Sequence, residues 1–351
     1  MAKILYGVHG TAHGHAMRAL AIARRFPEHE FLFVSHEAGP SMLQGEFPVV
    51  DVPSVGTVFT RHRVDTLATL KMNYPVWRDR KAILGRVLDL IVDFQPDAVI
   101  SDYEFFLPRA CRKLGLPCLS IDHQHVITCC RHSLPLGEYP SYLATALSVR
   151  LLFSRATDYL VISFFQPPVK PGLRAKVLPP LLRDSVLARR PLDGDHVLVY
   201  QSYITDFTKF LALVGALKRP VIVYGVKKEG REGNLLYKPK SEEGFLDDLA
   251  SAAYVICGGG HSLISEALYF GKPVLSFPIK GAFEQFINGF YLERLGYGLA
   301  GGGPELTPEI IPEFESRLEE FRSNIRNAGF CGNETIFGQV EQFIRTGNLD
   351  Y

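Results

Sequence analysis

Two stretches of this 351-residue chain concentrate side chains able to do chemistry. One is Tyr254-Val255-Ile256-Cys257-Gly258-Gly259-Gly260-His261-Ser262-Leu263-Ile264-Ser265-Glu266, an apolar run that passes through three glycines into a helical pattern. Glycines let the backbone turn sharply and let a ligand come close. The helix start that follows offers unpaired N–H groups and a partial positive charge, which suit phosphate. His261 and Ser262 add donors there. Glu266 lies one turn on from Ser262 and shares its face. A carboxylate there suits a pair of ribose hydroxyls slightly beyond the phosphates. After Pro278 and a short loop, Glu284 and Gln285 open another helix, with acceptors and donors that match sugar hydroxyls. Alone, a triple glycine reads as a tight strand–helix turn. The joint pattern G-G-G-x-S-x-x-x-E-A-L-x-x-G-K-P-V-L-x-x-P-x5-E-Q-x-x-N, from Gly258 to Asn288, is far more specific.

The other stretch is Gly10-Thr11-Ala12-His13-Gly14-His15-Ala16-Met17-Arg18, directly after the first apolar run. It is not G-x-G-x-x-G, which argues against a nicotinamide fingerprint. His9, His13 and His15, with His123, His125, Asp102 and Asp122 after later apolar runs, leave two chemistries open. One is removal of a proton from an attacking hydroxyl. The other is metal binding in a hydrolase, although the H-x3-H-x-H spacing is irregular for one helix face.

The elements that position these residues alternate from end to end. Strands are expected at Ile4–Val8, Phe31–Ser35, Val49–Val52, Ala98–Ser101, Cys118–Ile121 and Tyr159–Ile162, with helices at His15–Arg25, Trp77–Phe94, Phe105–Leu114 and Tyr139–Phe153. After a Pro-rich stretch the alternation restarts. Strands follow at Val197–Tyr200, Val221–Tyr224, Tyr254–Cys257 and Val274–Phe277, with helices at Phe207–Leu217, Phe245–Ser251, Ser262–Phe270, Phe283–Leu295, Pro308–Arg326 and Glu334–Arg345. Such alternation implies mostly parallel sheets covered on both faces, with ligands beyond the carboxyl ends of the strands. The expected fold class is α/β, two Rossmann-like doubly wound domains facing a cleft. The divisions are 1–170, a linker at 171–195, a second domain at 196–330, and a final helix in 331–351 packing back on the first domain.

The joint pattern of the second half resembles the donor-site signature of GT-B glycosyltransferases. It is most similar to the branch of UDP-glycosyltransferases and the lipid-linked peptidoglycan N-acetylglucosaminyltransferase. The resemblance is strongest over Phe245–Gly298 and weaker over the rest of the chain. It implies that Gly258, Gly259, Gly260, His261 and Ser262 hold a diphosphate, Glu266 the ribose, and Glu284 with Gln285 the donor sugar. Phe245, taken to open its helix, would present backbone groups to the base, and Gly14 belongs with the donor side. The Cys257-Gly258-Gly259-Gly260-His261-Ser262 run departs from the plant-type His-Cys-Gly-Trp-Asn-Ser run, so backbone contacts to phosphate are better supported than side-chain ones. The Gly14-His15 turn resembles the Gly-His turn opening the first helix of the family, which makes His15 the general base. Pro96–Asp102 resembles the segment carrying its partner carboxylate, which makes Asp102 that partner and Glu104 the near alternative.

With 38 Lys+Arg against 37 Asp+Glu the net charge is +1, which gives no support to nucleic-acid binding. The opening run is too short for a signal peptide, and no segment approaches the roughly 18 apolar residues of a membrane span. Cys111, Cys118, Cys129, Cys130, Cys257 and Cys331 form no C-x-x-C pair and read as reduced thiols of a cytoplasmic protein. The acceptor side includes Glu104, His123 and His125, the stretch Thr60-Arg61-His62-Arg63 continued by Lys71, Arg78, Arg80 and Lys81, and the stretch Thr128–Tyr142 leading into the apolar helix to Phe153. Basic plus apolar surface points to an anionic lipid carrier or peripheral contact with the inner membrane face. A glycan or small-molecule acceptor stays open. The expectation is an inverting glycosyltransferase that uses a nucleotide-diphosphate sugar, UDP-linked first among the candidates, with no metal or other cofactor. A nucleotide-sugar hydrolase or epimerase on the same fold, the metal-dependent hydrolase and a non-catalytic nucleotide-sugar sensor are the alternatives.

Overall fold

Strands that are apolar on both faces need cover on both faces, so they pair in parallel and are joined by helices. The computed structural model, which describes residues 1–11, 13–60, 63–200, 207–301 and 309–351, is built this way twice. Its strands are β1 (Lys3–Val8), β2 (Glu30–Ser35), β3 (Val49–Asp51), the short pair β4 (Phe59–Thr60) and β5 (Arg63–Val64), β6 (Ala98–Asp102), β7 (Leu119–Asp122), β8 (Asp158–Ile162) and β9 (Ala175–Leu178). Then come β10 (Val197–Tyr200), β11 (Val221–Tyr224), β12 (Gly230–Glu232), β13 (Leu235–Tyr237), β14 (Tyr254–Cys257), β15 (Val274–Ser276) and β16 (Gly298–Ala300).

The first sheet runs β3-β2-β1-β6-β7-β8-β9 and the second β12-β13-β11-β10-β14-β15-β16. Every neighbouring pair in them is parallel except β12–β13. Each sheet grows outward from its first strand in one direction and then in the other. The reversal falls between β1 and β6, and between β10 and β14.

The period-two pattern decides which residues meet which helices. Ile4, Tyr6 and Val8 pack with Ala16, Ala19 and Ile22 of the helix His13–Arg25, and with Phe337, Val340 and Phe343 of the helix Asn333–Thr346. Leu5 and Val99 face the other way, onto Val87 and Ile91 of the helix Thr66–Phe94 and Leu107 and Ala110 of the helix Leu107–Leu114. Each of the buried Val, Leu, Ile and Phe side chains contributes roughly 1.5–3 kcal/mol by leaving water.

The chain divides into two compact units. One is Met1–Val58, Asp65–Arg183 and Gly332–Tyr351; the other is Phe59–Val64 and Asp184–Cys331. The stretch 171–195 is not a single connector: Ala175–Leu178 forms β9 at the edge of the first sheet, and the change of unit comes at Asp184. The helix expected from Trp77 starts at Thr66, where Asp65 accepts the Ala68 N–H, and it carries an exposed Pro75. The helix expected over Pro308–Arg326 is two, Ile310–Ser316 and Leu318–Arg326; Pro308 lies outside the described residues. Five of the six cysteines are buried and Cys331 is exposed. Among the described residues no helix is long and apolar enough to cross a membrane.

Candidate active site

β1 and β6 are parallel neighbours with Val8 opposite Asp102, at the point where strand order reverses. Loops leaving the carboxyl ends of strands at such a point diverge and make room for a ligand. Gly10 is required in the turn after β1, because a Cβ there would stand 1.6 Å from the His36 carbonyl oxygen. Ala12 lies outside the described residues, and Gly14 lies in the first turn of the helix that begins at His13. That helix carries His15 to 2.6 Å from Asp102, Nδ1 to Oδ1. A carboxylate oxygen only accepts, so Nδ1 holds the hydrogen and Nε2 of the neutral ring is an acceptor. The side-chain nitrogen of Gln124 stands 3.4 Å from Nε2.

Arg18, one turn along the helix, grips the same carboxylate. Its Nε donates to Oδ2 and its Nη2 to Oδ1, both at 2.7 Å. Burial works against the charge of Arg18, but the attraction of Asp102 outweighs it and raises the guanidinium pKa. Arg18 has no role in the sequence motif as read; its spacing of three from His15, which puts both on one helix face, is the signal that marks it.

Glu104 points elsewhere. Its Oε2 accepts the Leu107 N–H at 2.5 Å and its Oε1 the Ser54 hydroxyl at 3.1 Å, so it ties down the start of the helix Leu107–Leu114. Burial raises its pKa. Between Asp102 and Glu104, Tyr103 has a left-handed φ of 56°, which is uncommon for a residue with a Cβ, and its ring stacks on Phe153 at 3.8 Å.

The two histidines expected on the acceptor side are engaged in holding the fold. His123 Nδ1 donates to the Ile162 carbonyl at 2.8 Å. His125 Nδ1 donates to Asp122 at 2.7 Å, and its Nε2 meets Ser154 Oγ at 3.1 Å. Burial alone would raise the Asp122 pKa, but His125 and then Ser120 hold it well below the usual carboxylate range. Of the basic stretch, Lys71, Arg78, Arg80 and Lys81 are exposed along the helix Thr66–Phe94, while Arg61 and His62 lie outside the described residues. The helix Tyr139–Leu152 leaves Leu143, Leu147 and Leu151 exposed on one face.

His9 and His36 complete the cluster. Their rings lie edge to face 4.9 Å apart, and His9 meets His15 edge to face at 5.3 Å. Among the described residues no three His, Cys, Asp or Glu side chains are arranged to hold a metal ion. Burial, and then His15, lowers the His36 pKa from 6.5 to about 4. Burial, then His15 and His36, pushes His9 well below its ordinary value. A ring that titrates lower in the folded chain than in the unfolded one stabilises fully above the unfolded pKa, and that contribution is lost as pH falls through the folded pKa. Stability is therefore expected to drop between pH 6.5 and about 4, His36 alone accounting for on the order of 3 kcal/mol. Urea denaturation at the two ends of this range checks it. A His36→Gln chain that loses as much stability as the wild type across the range would remove His36 as the cause.

In the second unit, β14 leads through Gly258–Gly260 into the helix His261–Tyr269. Gly260 is its N-cap and no side chain caps it. A Cβ on Gly260 would meet nothing within 4 Å, whereas one on Gly259 would stand 2.5 Å from the Gln285 Cβ and 2.7 Å from its backbone oxygen. The loop is thus open on one side and pressed on the other by the helix Phe283–Arg294. Gln285 staples it there: its Oε1 accepts the Ile279 N–H at 2.9 Å and lies 3.4 Å from the Gly259 nitrogen. Asn288, fully buried, donates to the Gly259 carbonyl at 2.9 Å; sequence reading placed it in the motif without a task. Ser262 is exposed, His261 and Glu266 are buried on the same short helix, and Glu284 is half-buried in the first turn of the next.

Phe245 corrects an expectation. The helix starts at Glu242, so Phe245 lies inside it and its N–H is bonded to the Ser241 carbonyl. Its ring instead packs against Tyr200 and Tyr224, at 5.6 and 5.2 Å, beside the ends of β10 and β11.

Comparison with known proteins agrees with this frame. The family model described as glycosyl transferase family 1 matches residues 2–319. A protein of Methanosarcina acetivorans described as an uncharacterized glycosyltransferase is 26% identical, covering 89% of this chain and 88% of its own. Among solved structures, the calicheamicin glycosyltransferase CalG4 superposes with a TM-score of 0.68 at 17% identity, over 99% of each chain. Glycosyltransferase VinC in complex with dTDP superposes with a TM-score of 0.62 at 16% identity, over 98% of this chain and 99% of its own.

Proposed function

The chain belongs to glycosyl transferase family 1 and is a glycosyltransferase of GT-B fold; on that premise we propose that it moves a sugar from a nucleoside-diphosphate donor to an acceptor hydroxyl, with inversion at the anomeric carbon. The observation that carries this reading is the hydrogen bond of His15 Nδ1 to the buried Asp102, which leaves Nε2 as the acceptor for a hydroxyl proton. The hydroxyl oxygen attacks the anomeric carbon, the bond to the diphosphate breaks, and the proton passes to Nε2. Bringing the groups together in fixed orientation supplies much of the rate, and removal of the proton by a positioned base supplies more.

The second unit has the features of a donor site. The uncapped start of the helix His261–Tyr269 and the open side of Gly260 suit the diphosphate, whose charge grows as it leaves. Glu266 and Glu284 are the groups we assign to ribose and sugar hydroxyls. Uracil remains the first candidate base, and the dTDP held by VinC makes thymine the second. The exposed row of Leu143, Leu147 and Leu151 supports an acceptor with an apolar portion.

A thermal-shift panel of nucleoside diphosphates tests the donor half. The cognate nucleotide at 100 times its Kd is expected to stabilise by about 2.7 kcal/mol. Uridine and thymidine diphosphates that both leave the melting point unmoved would overturn the assignment. Nucleotide release from the matching sugar donor then tests transfer. Release should rise on adding saccharide or lipid-linked acceptors, and equal release without any acceptor would instead show hydrolysis.

A further inference from the structure

The grip of Arg18 on Asp102 is more than the charge balance of a buried carboxylate requires. One N–H from a lysine would balance it. Here two N–H groups of one planar fork reach both oxygens, Nε to Oδ2 and Nη2 to Oδ1, each at 2.7 Å, and Nη2 also stands 3.2 Å from His15 Nδ1. Arg18 and Asp102 are both buried. His15 and Arg18 occupy one face of one helix, and Asp102 ends the neighbouring strand β6, so the three side chains form a closed triangle built by two elements.

We propose that Arg18 is the positioning residue of the base: by holding both Asp102 oxygens it fixes the carboxylate plane, and through it the tautomer of His15 with the hydrogen on Nδ1 and Nε2 bare. The proposal rests on the reading of His15 as the base. A carboxylate held by one oxygen rotates about its Cβ–Cγ bond, whereas a bidentate guanidinium removes that freedom. With Oδ1 fixed 2.6 Å from Nδ1, the ring has one low-energy orientation. The remaining neighbours do not set it. His9 meets His15 edge to face, His36 meets His9 in turn, and Tyr103 lies parallel to His15 at 6.3 Å. From β1, the Tyr6 phenol faces Asp102 and Arg18, and from β7, Asp122 acts on both Arg18 and Tyr6. Gln124, on the far nitrogen at 3.4 Å, touches the reacting edge of the ring rather than the held one.

The test uses the full chain with 15N-labelled histidine, and His15→Gln to assign the His15 signals. In the wild type the nitrogen shifts should show the hydrogen on Nδ1. Arg18→Lys keeps a cation and removes the fork. It should mix the two tautomers and lower kcat by at least tenfold, with donor KM unchanged. Arg18→Met should do so more strongly, and where it fails to fold the lysine variant still decides. A Lys variant with wild-type nitrogen shifts and wild-type kcat would overturn the proposal. The tautomer pattern is read without turnover, so the proposal and the base assignment fail separately. Mixed tautomers in Arg18→Lys together with full activity in His15→Ala would leave Arg18 as the positioning residue of a histidine that is not the base.

Discussion

Replacing His15 with alanine is expected to lower turnover roughly 100- to 10,000-fold, the range by which a positioned general base accelerates a proton transfer. Donor affinity should be nearly unchanged, because the side chains assigned to ribose and sugar, Glu266 and Glu284, and the glycine loop belong to the second unit and His15 to the first. The substitution is also structurally mild. Removing one member of a buried charged pair usually leaves an unpaired charge, at a cost of about 3–5 kcal/mol. Here Asp102 keeps both bonds from Arg18 after the imidazole is gone, so no carboxylate is stranded. Loss of turnover would therefore report chemistry and not unfolding. Single-turnover kinetics with saturating donor, beside a binding isotherm for the nucleotide, measures the two quantities separately. Turnover within threefold of wild type would take His15 out of the reaction.

The frame of this molecule is legible in its sequence because its strands are buried on both faces, and such strands read as continuous apolar runs. Ile4–Val8, Ala98–Ser101 and Tyr254–Cys257 are of this kind, and the structure extends them by no more than one residue at either end. The strands that were missed lie toward the margins. β9 is an edge strand of four residues between Pro171 and Pro179, and flanking prolines make a short run look like a connector. The start of the helix Thr66–Phe94 was missed as well: proline is costly inside a helix, yet Pro75 sits on the exposed side of this one, which is anchored by Asp65. The strand ends that carry Asp102 and the glycine loop could be located because apolar runs stop there. Partner choice rested on the family resemblance and not on the local residues. Nothing local distinguishes Asp102 from Glu104, two residues apart; the left-handed turn at Tyr103 sends one carboxylate to His15 and the other to the Leu107 amide. Likewise Gln285 reads as a sugar contact in one dimension, and its carbonyl is instead spent on Ile279 across the loop.

Two adjacent glycines allow the donor loop to be tested with one methyl group each, and opposite outcomes are expected. Gly259→Ala should destabilise the chain and abolish donor binding together. Its methyl would stand 2.5 Å from the Gln285 Cβ and 2.7 Å from the Gln285 backbone oxygen, and a helix backbone cannot retreat as a flexible side chain can. Overpacking of this kind costs typically 1–3 kcal/mol. The helix displacement would also break the bonds from Gln285 to Ile279 and from Asn288 to Gly259. Gly260→Ala should leave stability within about 0.5 kcal/mol of wild type, as a surface change does. Its φ of −68° and ψ of 125° suit any residue, and its methyl would meet no atom of the protein within 4 Å. The methyl would, however, occupy the space above the uncapped helix start, where we place the diphosphate. Displacing that group should weaken nucleotide binding at least tenfold, about 1.4 kcal/mol. Melting temperature and nucleotide Kd, measured on both variants, separate a loop that merely turns the chain from one that holds a ligand. Wild-type affinity in Gly260→Ala would move the phosphate away from this helix, whatever Gly259→Ala does to the fold.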